Sequence, residues 1–500
     1  MSKFHSTVSR RDFMKGLGFG TAGVGAMAAS VPVFHDLDEM MSSTETAPKH
    51  PWWVKSVDEP TVEIDWDVIG RYDARYTAHS EAVMGRYFGL QEWRDATAKK
   101  APQELELIKS NTPGKDLRSA ALSDASMQGL IRGGTNLKWH GPETVQKPEE
   151  RGVPKYTGTP EENLQMIRAA MRYFGAHSIG AAPLDAHHKK LVSLHPQSVS
   201  GNYMTNWPPP DTVNKRIVFE DVDQGYSTTE KYAIPTKEMW ACSYTTPMSK
   251  EMFRAAPSAI SYAANALRYR NRGNIMPDTQ NFVRGLGYQI LEEPYPCIPA
   301  IASAVLTGTA ENGRNSGYCL NPEFGSVNGY YDFMTDLPLE ETKPIDAGLF
   351  RFCHTCRKCA EICPQGALSM DNEPTWDPPK SKISPKLTAL DPSMDDPEFH
   401  QRGKKVFWKD EILCQQFVGT NPFGCIQCQG GCTFNVNSGA MVHELLHTTL
   451  SVTPLFNGIF WQLGNTFGYG LREGEDMNNF WKTELPAWGY DSSLGVHGTY

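Results

Sequence analysis

The chain has 500 residues, of which 40% are hydrophobic and 21% are charged, as in an ordinary soluble globular protein. This length is enough for roughly two to four domains with a sizeable buried core. The net charge of −9 and the absence of a basic cluster argue against nucleic acid as a partner.

An export signal is predicted at the start of the chain. Arg10 and Arg11 precede a weakly apolar stretch, residues 16–33, that is rich in glycine and alanine. A charged head followed by a short apolar run is typical of export signals, and the arginine pair indicates the twin-arginine route. We therefore predict a twin-arginine signal peptide over residues 1–35, with an ordinary secretory signal or a basic tail as the alternative. The mature protein would lie at the outer face of the cytoplasmic membrane as a peripheral protein.

Residues 36–155 are predicted to form an N-terminal unit without a chemical motif. The first clear helix follows it. Thr159 and Glu162 make a capping box, and apolar residues then recur at helical spacing until Gly175 ends the pattern. Residues 177–183 predict a buried strand after that helix.

Residues 156–346 are predicted to be a core of mixed helix and strand, interrupted at about 185–235 by a polar excursion. A second helix is predicted over about 257–272, and a third helix is predicted to begin at Asp278. The alternation of the two element types predicts the α+β class.

Eight of the eleven cysteines fall into two runs between residues 353 and 432. The first run has the spacing C-x2-C-x2-C-x3-C-P, which holds four-iron clusters, and in two-cluster ferredoxins the fourth cysteine of each run binds the other cluster. The two predicted ligand sets are Cys353, Cys356, Cys359 and Cys432, and Cys414, Cys425, Cys428 and Cys363.

We therefore predict two [4Fe–4S] clusters in a ferredoxin-like module over residues 347–440, with a polar insertion between the two runs. Structural zinc is the alternative, because C-x2-C pairs also bind zinc, whereas this spacing is poor for several disulfides. The remaining cysteines are predicted to be buried small apolar side chains. They are Cys242, Cys297 and Cys319.

The C-terminal segment, residues 441–500, is apolar and aromatic and is predicted to pack back on the core. It contains His443-Glu-Leu-Leu-His447, which matches the H-E-x-x-H pattern of zinc proteases. A five-residue pattern with two free positions also arises by chance in a long chain. We interpret this match as accidental and expect one histidine to pack against the cysteine module.

An ordered set of motifs gives the chain a resemblance to corrinoid-dependent reductive dehalogenases, the catalytic subunits of organohalide respiration. The resemblance covers nearly the whole chain and leads into the first cysteine run. The motifs are Ser9-Arg-Arg-Asp-Phe13, His50-Pro-Trp-Trp53, Thr159-Pro-Glu-Glu-Asn163, Phe282-Val-Arg-Gly-Leu-Gly-Tyr288, Pro322-Glu-Phe-Gly325, Thr335-Asp-Leu-Pro-Leu339 and Lys343-Pro-Ile-Asp-Ala-Gly348.

The resemblance implies that residues 156–346 are a nitroreductase-like core holding a corrinoid (cobalamin) with its lower base detached, reduced through the two clusters. It implies that Tyr269 is the proton donor. It also implies that the loop between the first two cysteines of the second run lines the substrate channel, where Phe417 and Phe423 suit an apolar halocarbon.

Three positions depart from the family pattern. Relatives carry a basic residue beside the tyrosine, but that position is Gly329 here, so Arg268, Arg270 or another residue would have to supply the cation. A pocket asparagine of some relatives is replaced near Tyr295, and Thr433 follows the last cysteine where proline is usual. The first two departures concern the pocket and the substrate.

We therefore expect an exported enzyme that replaces chlorine by hydrogen on a small apolar organohalide, with tetrachloroethene- and trichloroethene-type substrates first and chlorinated aromatics second. The implied partners are a membrane electron-donor chain and a small membrane-anchor subunit. Two alternatives stay open. They are a corrinoid iron–sulfur reductase of the epoxyqueuosine type and a pure iron–sulfur electron-transfer protein.

Overall fold

The computed structural model describes residues 50–490 except 52, 198, 206–208, 293–296, 316–317, 388–399, 436–440 and 467–468, and it leaves out the side chains of 130–136, 441–445 and 465. The predicted signal peptide therefore lies outside the described residues. The strands are β1 (Lys55–Ser56), β2 (Ile179–Pro183), β3 (Arg216–Glu220), β4 (Tyr226–Ser227), β5 (Lys231–Pro235), β6 (Trp240–Pro247), β7 (Ile290–Leu291), β8 (Glu311–Asn312), β9 (Cys319–Leu320), β10 (Asn328–Thr335) and β11 (Ile345–Asp346).

Fifteen α-helices are found among the described residues. They are α1 (Glu81–Phe88), α2 (Leu90–Ala98), α3 (Lys100–Lys109), α4 (Leu117–Asn136), α5 (Pro160–Tyr173), α6 (Ala186–Leu191), α7 (Lys250–Phe253), α8 (Ala259–Leu286), α9 (Ala300–Leu306), α10 (Leu349–Thr355), α11 (Lys358–Glu361), α12 (Glu411–Thr420), α13 (Gln427–Gly430), α14 (Met441–Val452) and α15 (Asn457–Thr466). The mixture of helix and sheet confirms the predicted α+β class.

The main sheet has the order β2-β6-β10-β7, and each neighbouring pair is antiparallel. Side chains on β6 and β10 alternate between its two faces, as the two-residue repeat of a strand requires. Cys242 and Phe333 face α5 and α8, whereas Ala241 and Met334 face α9 and the 185–235 region. Both faces are covered, which explains why β6 and β10 are buried along their whole length.

Helix α5 confirms its sequence prediction. The Thr159 side chain accepts a hydrogen bond from the Glu162 amide at 3.2 Å, and the Glu162 carboxylate accepts one from the Thr159 amide at 2.9 Å. This capping box satisfies two backbone groups that the first helical turn leaves open. The face with Leu164 and Met171 is fully buried. Strand β2 begins at Ile179, two residues later than predicted.

The two helices predicted between 257 and 286 are one helix, so that prediction was wrong. Helix α8 runs without a break for 28 residues and contains Pro277, and Asp278 lies inside it rather than capping a new helix. An interior proline destabilises a helix by about 3 kcal/mol. Here Pro277 is buried, and packing of α8 on α4, α5 and the sheet offsets that penalty. Gly287 ends the helix with a left-handed φ of 94°, as predicted.

The segment that joins β2 to β6 forms α6 and a separate three-stranded sheet with the order β3-β5-β4. The chain then returns to the main sheet at Trp240. The three cysteines outside the two runs are buried, as predicted. Within the described part of the chain, no helix combines the length and the apolar character needed to cross a membrane.

Candidate functional site

The first cysteine run is held by two short helices. Cys353 lies in α10 and Cys356 at its end, while Cys359 lies in α11 and Cys363 just after it. Apolar side chains from distant segments surround the run, so the thiols of Cys353, Cys356 and Cys359 are buried. This packing joins α10 to the N-terminal unit, the second cysteine run and α14.

The second run begins on α12, which carries Cys414. Asp410 caps this helix by accepting a hydrogen bond from the Leu413 amide at 3.0 Å, as an N-terminal carboxylate should. Cys425 precedes α13, and Cys428 lies within it. Cys432 follows two residues after α13 ends.

The eight thiols form two electrostatic groups. Burial raises the pKa of Cys353, and the neighbouring Cys356 and Cys432 raise it further. Burial also raises the pKa of Cys359, again with help from Cys353, Cys356 and Cys432. These four residues match the first predicted ligand set.

In the other group, burial raises the pKa of Cys425 to about 11, and the charges of Cys414 and Cys363 add to this effect. Burial likewise raises the pKa of Cys428, with contributions from the same three cysteines. These four residues match the second set. The two groups are neighbours, because Cys428 packs against the buried cluster that contains Cys359 and also raises the pKa of that thiol.

Cations lie beside both groups. The Arg314 guanidinium donates two hydrogen bonds to the Cys353 carbonyl, at 2.7 and 3.1 Å, and lies 3.8 Å from the centre of the Phe407 ring. Lys409 lowers the pKa values of Cys414 and Cys428, which burial raises. Positive charges at these places favour thiolates, the form in which cysteine binds metal.

Thr433, which replaces the usual proline, also contacts a thiol. Its hydroxyl lies 3.6 Å from the sulfur of Cys356 and counteracts part of the rise that burial causes in the pKa of that thiol. The departure at this position therefore places a hydrogen-bonding group on a predicted cluster ligand.

Tyr269 lies on α8 and faces the main sheet. Its ring packs edge-on against Tyr331 of β10, with 6.3 Å between ring centres. One Arg268 nitrogen donates a hydrogen bond to the Tyr269 hydroxyl at 2.7 Å, and the guanidinium carbon lies 4.4 Å from the Tyr269 ring centre. A cation therefore touches the predicted proton donor although residue 329 is glycine.

A second phenol completes this arrangement. The other terminal nitrogen of Arg268 donates to the Tyr318 hydroxyl, which donates to the Asn328 carbonyl at 2.9 Å. Tyr318 also hydrogen-bonds the side chain of Gln429, the residue after Cys428. The Tyr269 site and the cysteine module are thus joined through one tyrosine.

Several buried polar atoms around this site have no hydrogen-bond partner among the described residues. The hydroxyls of Tyr244, Thr246 and Tyr331 are three of them. The Asn312 side-chain oxygen and both amide atoms of Asn315 are others. Because a buried polar group without a partner destabilises the fold by about 1–3 kcal/mol, these atoms mark places where a bound group would supply the partner.

Asn312 also lines a cavity of about 410 Å³ between α9, the N-terminal unit and the segment before α12. Trp66, Phe407 and Trp408 form aromatic walls of this cavity, and Lys404 contributes a cation. The enclosure is mostly apolar with a few polar groups, which is typical of small-molecule sites.

The predicted channel loop approaches the same helix. Phe423 is buried, and the following Gly424 lies next to the Tyr262 ring, two turns before Tyr269 on α8. Phe417 lies on α12 and is partly exposed. Tyr295 lies outside the described residues.

His447 packs as expected for the H-E-x-x-H segment. It is buried and stacks on Trp53, with 4.8 Å between ring centres, and it also contacts Phe434. The side chains of His443 and Glu444 lie outside the described set. Among the described residues, no group of three or more His, Cys, Asp or Glu side chains could hold a single metal ion.

Sequence reasoning missed Tyr318, Arg314 and Lys409, and it left the cation beside Tyr269 undecided. Arg314 and Tyr318 carry no local signal, because they reach the site from segments that are distant in sequence and only the fold brings them there. Lys409 lies five residues before Cys414, so its sequence position beside that cysteine was a usable signal.

Comparison with known proteins identifies relatives. A family model described as reductive dehalogenase subunit matches residues 49–339. The chain is 31% identical to the chloroethene reductive dehalogenase of Dehalococcoides mccartyi strain VS, over 98% of this chain and 99% of that protein. It is 30% identical to the trichloroethene reductive dehalogenase of Dehalococcoides mccartyi strain ATCC BAA-2266 / KCTC 15142 / 195, over 97% and 98% of the two chains.

A solved reductive dehalogenase, studied for B12-dependent dehalogenation, has a similar fold, with a TM-score of 0.54 at 18% identity. The match covers 85% of this chain and 49% of the solved chain, so this protein spans about half the length of that one. The nearly full-length match to the two Dehalococcoides proteins decides against both alternative classes considered from the sequence. The chain belongs to the reductive dehalogenase family and is an oxidoreductase.

Proposed function

We propose that this reductive dehalogenase removes chlorine from chlorinated ethenes as the terminal step of organohalide respiration. In the overall reaction the organochloride, two electrons and one proton give chloride and the product in which hydrogen replaces that chlorine. The observation that carries the proposal is the Tyr269 hydroxyl, held by Arg268 and joined through Tyr318 to a module of eight cysteines. Relatives named for chloroethene and trichloroethene support the choice of substrate.

Two [4Fe–4S] clusters would be held by the two cysteine groups. Cys353, Cys356, Cys359 and Cys432 interact with one another, as do Cys363, Cys414, Cys425 and Cys428, and this grouping fits the crossed ligand pattern of two-cluster ferredoxins. Such clusters pass one electron at a time. Cys428 packs against the buried cluster that contains Cys359, so two bound clusters would lie near each other and electrons would pass between them in sequence.

The residues present also fit a corrinoid in a nitroreductase-like core. A corrin ring carries amide side chains, and the unpaired Asn312 side-chain oxygen and Asn315 amide would bind them. The cavity lined by Asn312 and Trp66 would receive the detached lower base, since its walls are aromatic and Lys404 suits a phosphate. When bound, a corrinoid would supply a strongly reducing cobalt for cleavage of the carbon–halogen bond.

This assignment can be tested apart from turnover. Asn312→Leu and Asn315→Leu keep the size of the side chain but remove its amide, so both variants should retain less cobalt per chain after anaerobic purification. Iron content should stay at about eight per chain, as two four-iron clusters require. Cobalt retention equal to that of the unaltered protein would exclude these amides as corrinoid contacts.

Tyr269 would donate the proton that replaces chlorine. Its O–H is a hydrogen-bond donor, and it lies beside a partly buried guanidinium at 2.7 Å. The substrate would approach along the loop that carries Phe417 and Phe423, because that loop meets α8 at Tyr262. Apolar walls at this place favour a small halocarbon and exclude water.

We further propose export by the twin-arginine route and attachment to the outer face of the cytoplasmic membrane through a small anchor subunit. Residues 445–471 contain no Asp, Glu, Lys or Arg. Val452, Leu455 and Ile459 are 67%, 79% and 54% exposed where α14 meets α15. Such a patch suits an apolar partner.

The export route is tested at the arginine pair. Arg10→Lys with Arg11→Lys should leave the precursor in the cytoplasm, and normal export of that variant would contradict the route.

The activity itself is tested with the anaerobic holoenzyme, a low-potential one-electron donor and a panel of chloroethenes and chlorobenzenes. Chloride release and the dechlorinated product are measured together. We expect the chloroethenes to be dechlorinated, with one chloride for every two electrons consumed. Turnover of chlorobenzenes alone would overturn the substrate assignment, and no chloride from either class would overturn the function.

A further inference from the structure

We infer that Arg268 positions the Tyr269 hydroxyl and stabilises the phenolate that proton donation leaves behind, and that residue 329 is glycine because the Arg268 side chain lies across it. The inference rests on the proposed function, in which Tyr269 donates the proton. Arg268 acts through Tyr269, so its role is to position that residue.

Neighbouring residues on a helix normally point in different directions. Arg268 nevertheless reaches the hydroxyl of the residue that follows it, at 2.7 Å, and places its guanidinium carbon 4.4 Å from the Tyr269 ring centre. A long side chain can do this only if it folds back over the neighbouring surface. That surface is β10 at Gly329.

The contacts of Gly329 show why a side chain is excluded there. A Cβ atom at this position would lie 2.6 Å from the Thr246 hydroxyl oxygen and 2.9 Å from the Arg268 Cδ, closer than real atoms approach. The backbone at Gly329 does not have the positive φ that would itself require glycine. Space for Arg268 and Thr246 is therefore the reason for the glycine.

Tyr318 holds the other end of the guanidinium. Its hydroxyl donates to the Asn328 carbonyl at 2.9 Å, which leaves an oxygen lone pair for Arg268. Arg268 is thus fixed between two phenols. A fixed donor keeps its geometry while the proton moves, so little reorganisation is needed at that moment.

The charge of Arg268 faces hydroxyl groups in the part of the chain that the structure describes. Among the described residues, no ion pair joins it to a carboxylate, whereas the Tyr269 and Tyr318 hydroxyls both accept hydrogen bonds from it. When the Tyr269 O–H bond breaks, the proton goes to the carbon that loses chlorine, and the electron pair stays on the phenolate oxygen beside the guanidinium. The two electrons come from a low-potential donor, chloride leaves with the bonding pair, and solvent water returns the proton to Tyr269.

The test uses anaerobic holoenzyme carrying Arg268→Gln or Arg268→Lys. Arg270→Gln is the matched control, because Arg270 lies on the same helix but over the Trp488 ring, at 5.1 Å. We expect Arg268→Gln to lower kcat by about 100-fold or more with KM within about 3-fold, since a positioned general acid contributes about 100- to 10,000-fold. Arg268→Lys should recover part of kcat, and the control should stay within about 2-fold.

Three further measurements separate positioning from simple structural damage. Iron and cobalt contents of Arg268→Gln should equal those of the unaltered enzyme. The solvent deuterium isotope effect on kcat should rise, because proton transfer becomes slower. In a Tyr269→Phe background, Arg268→Gln should have no further effect beyond about 2-fold, since its contribution passes through the tyrosine hydroxyl.

The outcomes distinguish this inference from the proposed function. If Tyr269→Phe keeps full turnover, the proposed proton donor is wrong. If Tyr269→Phe is inactive while Arg268→Gln stays within about 3-fold of the unaltered enzyme, the inference about Arg268 is overturned. Gly329→Ala should lower kcat in the same direction with cofactors retained, and unchanged kcat in that variant would refute the role given to the glycine.

Discussion

Two of the arginines on helix α8, Arg268 and Arg272, lie one turn apart and are in opposite electrostatic situations. Arg272 is buried and paired with the Glu292 carboxylate at 2.5 Å. Arg268 is not paired with a carboxylate among the described residues, and its guanidinium contacts the hydroxyls of Tyr269 and Tyr318. A buried charge that has a counterion contributes to the integrity of the fold. A cation that faces only neutral hydroxyls is available to stabilise a negative charge that forms during a reaction.

The largest effect is expected on turnover, at Tyr269, whose hydroxyl accepts a hydrogen bond from Arg268. Tyr269→Phe keeps the ring that packs on Tyr331 and removes only the hydroxyl. Turnover should fall by about 100- to 10,000-fold, the usual contribution of a general acid. Anaerobic product analysis, with metal content and circular dichroism as controls, checks this result. Dechlorination within a few-fold of the unaltered enzyme would show that another group or water is the proton source.

Substitution of Arg272 is expected to lower the stability of the fold. Arg272→Met removes the partner of a buried carboxylate and should lower the free energy of unfolding by about 3–5 kcal/mol. The double variant Arg272→Met with Glu292→Gln should recover part of that loss, because it leaves no unpaired charge. Denaturant melts of the two variants measure the difference. Equal stability of the single variant and the unaltered protein would remove the contrast between the two arginines.

The buried Asp332 carboxyl, which interacts with Arg272 and Glu292, predicts that stability depends on pH. Burial and the Glu292 charge raise the pKa of Asp332 to about 7, against an ordinary value of 3.8. The folded state holds the Asp332 proton more tightly than the unfolded state does. The contribution of this proton to the free energy of unfolding is therefore complete below about pH 4 and is lost as the pH rises through 7. Thermal melts should show this decline, and Asp332→Asn should flatten it. A decline of the same size in Asp332→Asn would assign it to other groups.

The smallest effect on function is expected at His447, which lies away from both Arg268 and Arg272. His447→Ala removes the ring that stacks on Trp53, so stability should fall by about 0.5–3 kcal/mol. Turnover of the folded protein and its metal content should be nearly unchanged. Loss of one zinc per chain in this variant would instead show that the H-E-x-x-H segment binds metal.

The parts of the molecule that the sequence predicts well are those governed by short-range rules. The capping box at Thr159 and the helix end at Gly287 depend on residues within one turn, and both are observed. The assignment of the cysteines to two clusters also rests on short-range spacing, and it stays a prediction. Helix α8 was predicted wrongly at Pro277, because tertiary packing there outweighs a local preference.

The site around Tyr269 could be predicted only in part. The resemblance led to the tyrosine, but the side chains around it come from α8, the β8–β9 region, β10 and the second cysteine run. Tyr318 and Gln429 are more than 100 residues apart in sequence, and no spacing rule connects them. Arg268 was one of two named candidates for the cation, and the contact at 2.7 Å is what distinguishes it from Arg270.

The close approach of Arg268 to Gly329 also constrains how the sequence can vary. A side chain at position 329 would meet the Thr246 hydroxyl oxygen at 2.6 Å and the Arg268 Cδ at 2.9 Å, so it cannot be present beside these two residues with the backbone unchanged. Substitutions at position 329 should therefore be accepted only together with smaller side chains at positions 246 and 268. A mutant library that varies the three positions together would reveal this covariation, and engineering that moves the cation to the strand would have to shorten residues 246 and 268 in the same step.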